Sequence, residues 1–417
     1  MVMQNDFERE ITPVKKSVNW PTISIIYMGI AITLPMFYAA GSVGLSLGFN
    51  YGLIALILSV LFLSLLGAFT GYVGAKTRLS TYMITSISFG TKLSKVINVL
   101  MSVVLLGWYS LTLTYFGESI KDFLLHEYGL NIAVNIPIII SGIVIGISII
   151  YGFKGISRLS WLTIPFLLAL LYIMIINAVI KNGIYNLQNY VGNFEISFGK
   201  SVSALIGAFI CGVSILPDIS RYAKTSKDGI LGGICGFIGG QFIVGLPCLV
   251  IAILYGNNEF ITNAIAFSSL IAFVILILST WTTNDNNIYS STLCLSAVFQ
   301  KAKRTTIITI LAVLGIVLAC LNIINYFIPF ISMLAIIFPS IALINVLDYF
   351  FNKKNYVNYK NYNNSINYKA FVAWLVGNCF ALATYFKLIT LTTIPAIDGL
   401  IITALIYIVF EKYIKIN

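Results

Sequence analysis

STWTTNDNN, residues Ser279 to Asn287, sits in the last half of an apolar run that begins near Ala266, so most of it belongs at bilayer depth. Two adjacent hydroxyls, three amides and one carboxylate in such a place are costly unless each has a partner or lines a water-filled cavity. A cluster of this kind reads as the working end of a transport site inside an all-helical membrane protein.

The remainder of the chain agrees. Of 417 residues, 59% are hydrophobic and 9% charged, where soluble domains carry about 25% charge. The mean hydropathy is +0.95. With about 20 apolar residues needed per crossing, the sequence divides into twelve spans. A net charge of +11 would suggest nucleic acid in a soluble protein, but its placement matters more. With the N-terminus inside, all of the 25 Lys and Arg except Lys121, Lys181, Lys200 and Lys387 fall in cytoplasmic segments. This is the positive-inside pattern, and it implies an even number of crossings with both termini cytoplasmic. The six cysteines lie in hydrophobic segments, outside any extracellular disulfide framework. The one histidine, His126, is expected in a loop, and no helix carries metal-ligand spacing. The same scarcity of histidine, and of a nucleophile beside a base, argues against a membrane-embedded enzyme.

Residues 1–20 form a cytoplasmic segment without the shape of a cleaved signal peptide. Residues 21–180 hold spans one to five, 181–200 an extracellular connector, 201–347 spans six to ten, 348–369 a cytoplasmic linker rich in Asn, Tyr and Lys, and 370–417 spans eleven and twelve. These last two bury little polarity and are expected to be peripheral. Span one, about Pro21 to Leu47, contains Gly29 and Pro35, and the proline disfavours helix at Leu34, which predicts an interruption between Gly29 and Met36. Span six, about Ser201 to Ser220, is punctuated by Gly207, Gly212 and Pro217. Each of these spans opens a block of five, and an odd number per block inverts the second relative to the first. Paired interrupted helices point to a binding site at the membrane midplane, although Gly and Pro also serve ordinary helix packing in membranes.

Around STWTTNDNN several residues suit a site. The hydroxyls of Thr282 and Thr283, with freed carbonyls of Gly29 and Ile32, would make an all-oxygen cage for a hard cation; alternatively each threonine bonds back to its own helix. Asn284 offers two donors and an acceptor, matching the mixed edge of a heterocyclic amide, or an interhelical bond. Asp285 is first a helix-packing acid, with proton carriage or an electrostatic role as the other readings. Trp108 and Phe209 sit at mid-span beside Gly107, Gly207 and Gly212, placed to enclose a planar ring or to pack the core. Asp218 and Arg221, in PDISR, form a structural ion pair at the inner end of span six.

WTTNDN (Trp281 to Asn286), GYVGAKTRLST (Gly71 to Thr81) with SFG (Ser88 to Gly90), GW at Gly107 and Trp108, and the PD…R pattern of span six together resemble the cytosine permeases of the nucleobase:cation symporter family. The resemblance runs in order across nearly all twelve spans. It implies an inverted five-plus-five helix fold with helices one and six broken and two helices added. It also implies import of a nucleobase or related pyrimidine-like compound, cytosine first, by sodium symport through alternating access in the cell membrane. Trp108 and Phe209 then resemble the two rings that sandwich the base, and Asn284 its polar contact. Thr282 and Thr283, with carbonyls of Gly29, Ile32 and Ser279, resemble the sodium site. The chain departs from the family at Leu105, where a glutamine is typical, and at Ala208 and Cys211, where serines are typical. Losing such groups marks weaker cytosine recognition or a ligand of different polarity. The other reading is a proton-coupled symporter, through Asp285 or Asp218, of a heterocycle such as a purine, hydantoin or hydroxymethylpyrimidine.

Overall fold

The computed structural model describes residues 10–31, 34–148, 152–258, 268–321, 323–359, 362 and 364–413. Its helices are α1 (Trp20–Ala31), α2 (Leu34–Thr77), α3 (Thr81–Ser88), α4 (Thr91–Tyr128), α5 (Asn135–Ser148), α6 (Gly152–Asn182), α7 (Ile184–Asn189), α8 (Phe198–Ser220), α9 (Ser226–Phe237), α10 (Ile243–Tyr255), α11 (Ser269–Val298), α12 (Arg304–Cys320), α13 (Phe327–Phe351), α14 (Lys353–Val357), α15 (Tyr368–Tyr385) and α16 (Pro395–Tyr413). Among the described residues, six stretches are long and apolar enough to cross a membrane: Pro35–Thr77, Thr91–Tyr128, Ile164–Asn182, Phe198–Ser220, Ser226–Tyr255 and Pro329–Phe351. Two shorter apolar helices, Asn135–Ser148 and Arg304–Cys320, accompany them.

The helices sort into two groups. In one, α2 packs on α8, α9 and α10, and α1 packs on α9. In the other, α4 packs on α11, α12 and α5, and α12 packs on α5 and α11. The α6 helix touches both, while α13 joins α8 to α15 and α16. Glycine makes the first group tight. A Cβ at Gly229 or Gly233 of α9 would overlap the carbonyl oxygens of Gly71 and Gly67 on α2, and one at Gly232 or Gly236 would press into Ile23 or Tyr27 of α1. Lipid offers no hydrophobic drive for helix association, so close backbone approach at small residues supplies the attraction instead.

Several expectations are refined. Helix is seen up to Ala31 and again from Leu34; Ile32 and Thr33, inside the interruption expected for span one, lie outside the described residues. Spans one and two are merged in α2, with a reversal at Gly48 (φ 69°, ψ −177°), a conformation closed to residues with a Cβ. There Gly52 comes against the Cα of Gly44, which eight residues of straight helix would hold about 12 Å away. The Asn193 and Phe194 amides cap the turn by donating to the Leu45 and Ser46 carbonyls at 3.0 and 2.9 Å.

The expected break in span six is absent, because α8 is helical from Phe198 to Ser220. Pro217 falls in its last turn, where little helix remains to disrupt. Gly207 serves packing, since its Cβ would overlap the Ile331 carbonyl oxygen of α13. The irregular turn lies instead in span seven, a π-helical segment Ile238–Phe242 between α9 and α10. Gln241 on that turn donates to Ser59 Oγ at 3.1 Å and to the Leu205 carbonyl at 2.9 Å.

Span ten extends past the expected linker boundary at Asp348, as α13 runs to Phe351. The Asp348 carboxylate is buried there and accepts from Tyr356 and Tyr407, both at 2.7 Å. His126 lies in the last turn of α4 rather than a loop. The last two helices also bury more polarity than expected: Asp398 takes bonds from the hydroxyls of Thr384, Thr390 and Thr392 and the amides of Leu391 and Thr392, closing the turn between α15 and α16.

Because the glycine contact leaves no room, Gly233→Leu is expected to destabilise the protein by about 1–3 kcal/mol, the usual cost of overpacking. The check is the unfolding midpoint of the purified protein in detergent. A midpoint equal to the parent's would mean that α2 and α9 are not held by this approach.

Candidate functional site

On α11, Ser279, Thr280, Thr283, Asn284, Asp285, Asn286 and Asn287 are all buried. Seven near-consecutive positions cover every azimuth of a helix, so α11 must be enclosed on all sides. It is, by α4, α5, α6, α12, α1 and α2.

A buried cavity opens on one face of this helix. Its walls are Leu105 and Trp108 of α4, Ala208, Phe209, Cys211, Gly212 and Ile215 of α8, Met36 of α2, and Thr283, Asn286 and Asn287 of α11. The α11 contributors fall at i, i+3 and i+4, one helical face. The cavity measures about 30 Å³, room for little more than one water. A planar ring would need the walls of the cavity to part. Trp108 is braced from behind by Phe330 and Phe327 of α13, met edge-on at centroid distances of 5.3 and 6.3 Å. Phe209 rests edge-on against Phe237, with centroids 6.4 Å apart.

Beside the cavity, Thr283 Oγ donates to the Gly29 carbonyl of α1 at 3.4 Å, a long bond. Ser279 is buried one turn away on α11. Ile32 and the Thr282 side chain lie outside the described residues. The two described oxygens, the Gly29 carbonyl and the Thr283 hydroxyl, are of the kind a hard cation such as sodium takes.

The other sequence candidates separate. Leu105, Trp108, Ala208, Phe209 and Cys211 meet at the cavity, whereas Asn284 does not line it. Its Oδ1 instead accepts from Asn287 Nδ2 at 3.3 Å. Asp285 points to α5, where Ser148 Oγ donates to it at 2.5 Å and receives Trp281 Nε1–H at 3.2 Å. Asp218 accepts the Thr81 amide at 2.9 Å, and Arg221 Nε donates to the Asp218 carbonyl at 3.0 Å. Reading the sequence did not single out Asn286, Asn287, Met36 or Ile215. For the two asparagines a signal existed, because helical spacing puts them on the face of Thr283.

Many apolar helices around a buried, partly polar cavity at the meeting of two helix groups define a membrane transporter. A family described as "Permease for cytosine/purines, uracil, thiamine, allantoin" matches residues 10–403, and the chain belongs to it. The cytosine permease of Escherichia coli (strain K12) is 24% identical over 380 residues, covering 90% of this chain and 89% of the relative. Among solved structures, Mhp1, a nucleobase-cation-symport-1 family transporter in a closed conformation with bromovinylhydantoin bound, is similar with a TM-score of 0.81 at 18% identity, covering 99% of this chain and 96% of that one. A Na+-coupled sialic acid symporter in a substrate-bound outward-open state is similar with a TM-score of 0.67 at 10% identity, covering 94% and 89%.

Ser148 links α5 to the buried Asp285, so Ser148→Ala should leave a carboxylate short of a partner and cost about 1–3 kcal/mol. Adding Asp285→Asn should recover part of that loss. Midpoints of the two single variants and the double variant form the check, and strict additivity would show that the two residues do not interact.

Proposed function

We propose that this chain imports a flat nitrogen heterocycle, cytosine being the first candidate, by symport with sodium through alternating access. The observation that carries the reading is that Trp108 and Phe209 line one cavity together with Thr283, Asn286 and Asn287. Stacking on an aromatic face contributes about 1–3 kcal/mol per base. The named functions of the relatives, cytosine permease and nucleobase-cation symport, support the same substrate class.

In this account Gly29, Ile32 and Ser279 supply carbonyls, and Thr282 and Thr283 hydroxyls, to a sodium ion. The ion adds charge that draws α1 to α11 beside the ring site. The cavity is shared between the two helix groups: Met36 and Phe209 come from one, Trp108 and Thr283 from the other. Rocking of α1, α2, α8, α9 and α10 against α4, α5, α11 and α12 would open it to one side at a time. Twelve crossings in two inverted sets of five plus two, in the cell membrane with both termini cytoplasmic, complete the reading. By linkage, whatever factor sodium adds to ligand affinity, the ligand adds to sodium affinity.

Proton coupling through Asp285 or Asp218 is the rival. Both carboxylates are engaged away from the cavity, by Ser148 and by the Thr81 amide. Uptake into vesicles separates the two: sodium coupling predicts no accumulation from a pH gradient alone, and proton coupling predicts accumulation that Asp285→Asn or Asp218→Asn abolishes.

For purified protein and a pyrimidine panel, affinity is expected to rise when choline is replaced by sodium and to lose that dependence in Thr283→Ala. Trp108→Ala should cost about 1–3 kcal/mol of binding. Equal affinity in the two salts would remove the coupling, and an unaffected Trp108→Ala would remove the ring site.

A further inference from the structure

We infer that the Asp218 carboxylate and the Thr81 amide form the latch that holds the seam shut on the α3 side of the cavity, the bond that must break before a bound ring can leave in that direction. The inference rests on the rocking motion proposed above. Its basis is where the two partners stand and what holds each of them.

On α8 the cavity residues Cys211 and Ile215 are followed by Asp218, at i, i+4 and i+7, so all three share one helical face. Asp218 therefore lies one turn beyond the cavity wall, and it is buried. On α11, Cys294 stands seven residues past Asn287 on the face of Thr283, about 10 Å further along by helical rise. It is buried too. In this direction the seam is filled by buried side chains.

Across its end runs α3, with Ser80 as N-cap (φ −69°, ψ 160°) and Thr81 as the first helical residue. The Thr81 amide is one of those a helix leaves without an internal partner, and it donates to Asp218 Oδ1 at 2.9 Å. A carboxylate at a helix N-terminus is favoured both by the charge-assisted bond and by the helix dipole. The other end of α3 is fastened elsewhere. Asn345 of α13 donates to Thr85 Oγ at 3.2 Å and accepts from Ser88 Oγ at 2.5 Å, and Asn367 Nδ2 donates to the Ser88 carbonyl at 2.7 Å. The same helix packs on α4 and α11. Asp218 thus travels with α8 in the rocking account, whereas α3 stays with α4 and α13. Their bond spans the two bodies, and parting them on this side ruptures it.

The test compares the purified full-length protein, in detergent and sodium buffer, with Asp218→Ala, Asp218→Asn, Thr81→Pro and Thr81→Ala. Thr81→Pro removes the donor and keeps the helix, because proline suits the first helical position and Ser80 already has the extended backbone required before a proline. Thr81→Ala keeps the amide, and Asp218→Asn keeps an accepting oxygen. Labelling by N-ethylmaleimide, resolved by peptide mass spectrometry, is read at Cys294 in the seam and at Cys248, buried on α10 inside the first helix group. The expected result is labelling of Cys294 faster by about tenfold or more in Asp218→Ala and in Thr81→Pro, the size that follows from losing a hydrogen bond to a charged group. Thr81→Ala should label like the parent, Asp218→Asn between the two, and Cys248 equally in all. Combining Asp218→Ala with Thr81→Pro should add nothing to either alone, since both remove one bond. If Asp218→Ala folds poorly, Thr81→Pro carries the comparison. Parent-like labelling of Cys294 in Thr81→Pro overturns the inference, as does a matching rise at Cys248, which would mean that the helix group itself had loosened. Either result leaves the ring and sodium reading standing, because that reading falls on equal ligand affinity in sodium and choline, whatever the labelling shows.

Discussion

Hydrocarbon tolerates no bare polar group, and α11 is polar on every side, so its partners are dictated by that cost. Thr283 reaches α1 at Gly29, and Asp285 takes Ser148 of α5. Ser291 Oγ pairs with Ser102 Oγ of α4 at 2.6 Å. Each tie runs to a different neighbour and fixes both the depth and the rotation of α11. With α11 so fixed, Thr283, Asn286 and Asn287 front the cavity.

Two kinds of contact then divide the molecule. Within the first helix group, backbones touch at Gly67, Gly71, Gly229 and Gly233. Within the second, hydroxyls tie helix to helix: Tyr109 donates to the Gly142 carbonyl at 3.0 Å and Thr114 to the Ala319 carbonyl at 3.2 Å. Across the boundary at the site stand a cavity and the long Thr283 to Gly29 bond. In the proposed account these two helix groups are the bodies that rock against each other across this seam.

Much of this was legible in the sequence because apolar run length and buried polarity are one-dimensional signals. The helices α8 and α11 begin within about five residues of the starts expected at Ser201 and Ala266, and Ser279, Thr280 and Thr283 to Asn287 are buried as their polarity required. What depends on rotation or on close approach was not legible. Asn284, Asn286 and Asn287 look alike in sequence, and which of them fronts the cavity is set by the packing of α11 on α4 and α5. Gly207 read as a helix breaker because a glycine that admits a neighbouring backbone has the same letter as one that frees a turn. The π turn at Ile238–Phe242 came without a proline or charge to mark it, the nearest proline being Pro247 within α10. The chemistry of the cavity was legible only in part, since which side chains meet there is a matter of placement.

The central claim is that one seam houses both a flat ring and its co-ion. A high-resolution density map of the protein prepared with sodium and a bound pyrimidine tests it most directly. The account predicts planar density between Trp108 and Phe209, with a compact peak coordinated by the Gly29 carbonyl and Thr283 hydroxyl. Ring density elsewhere in the molecule, or a seam closed over with the ligand outside it, would contradict the account.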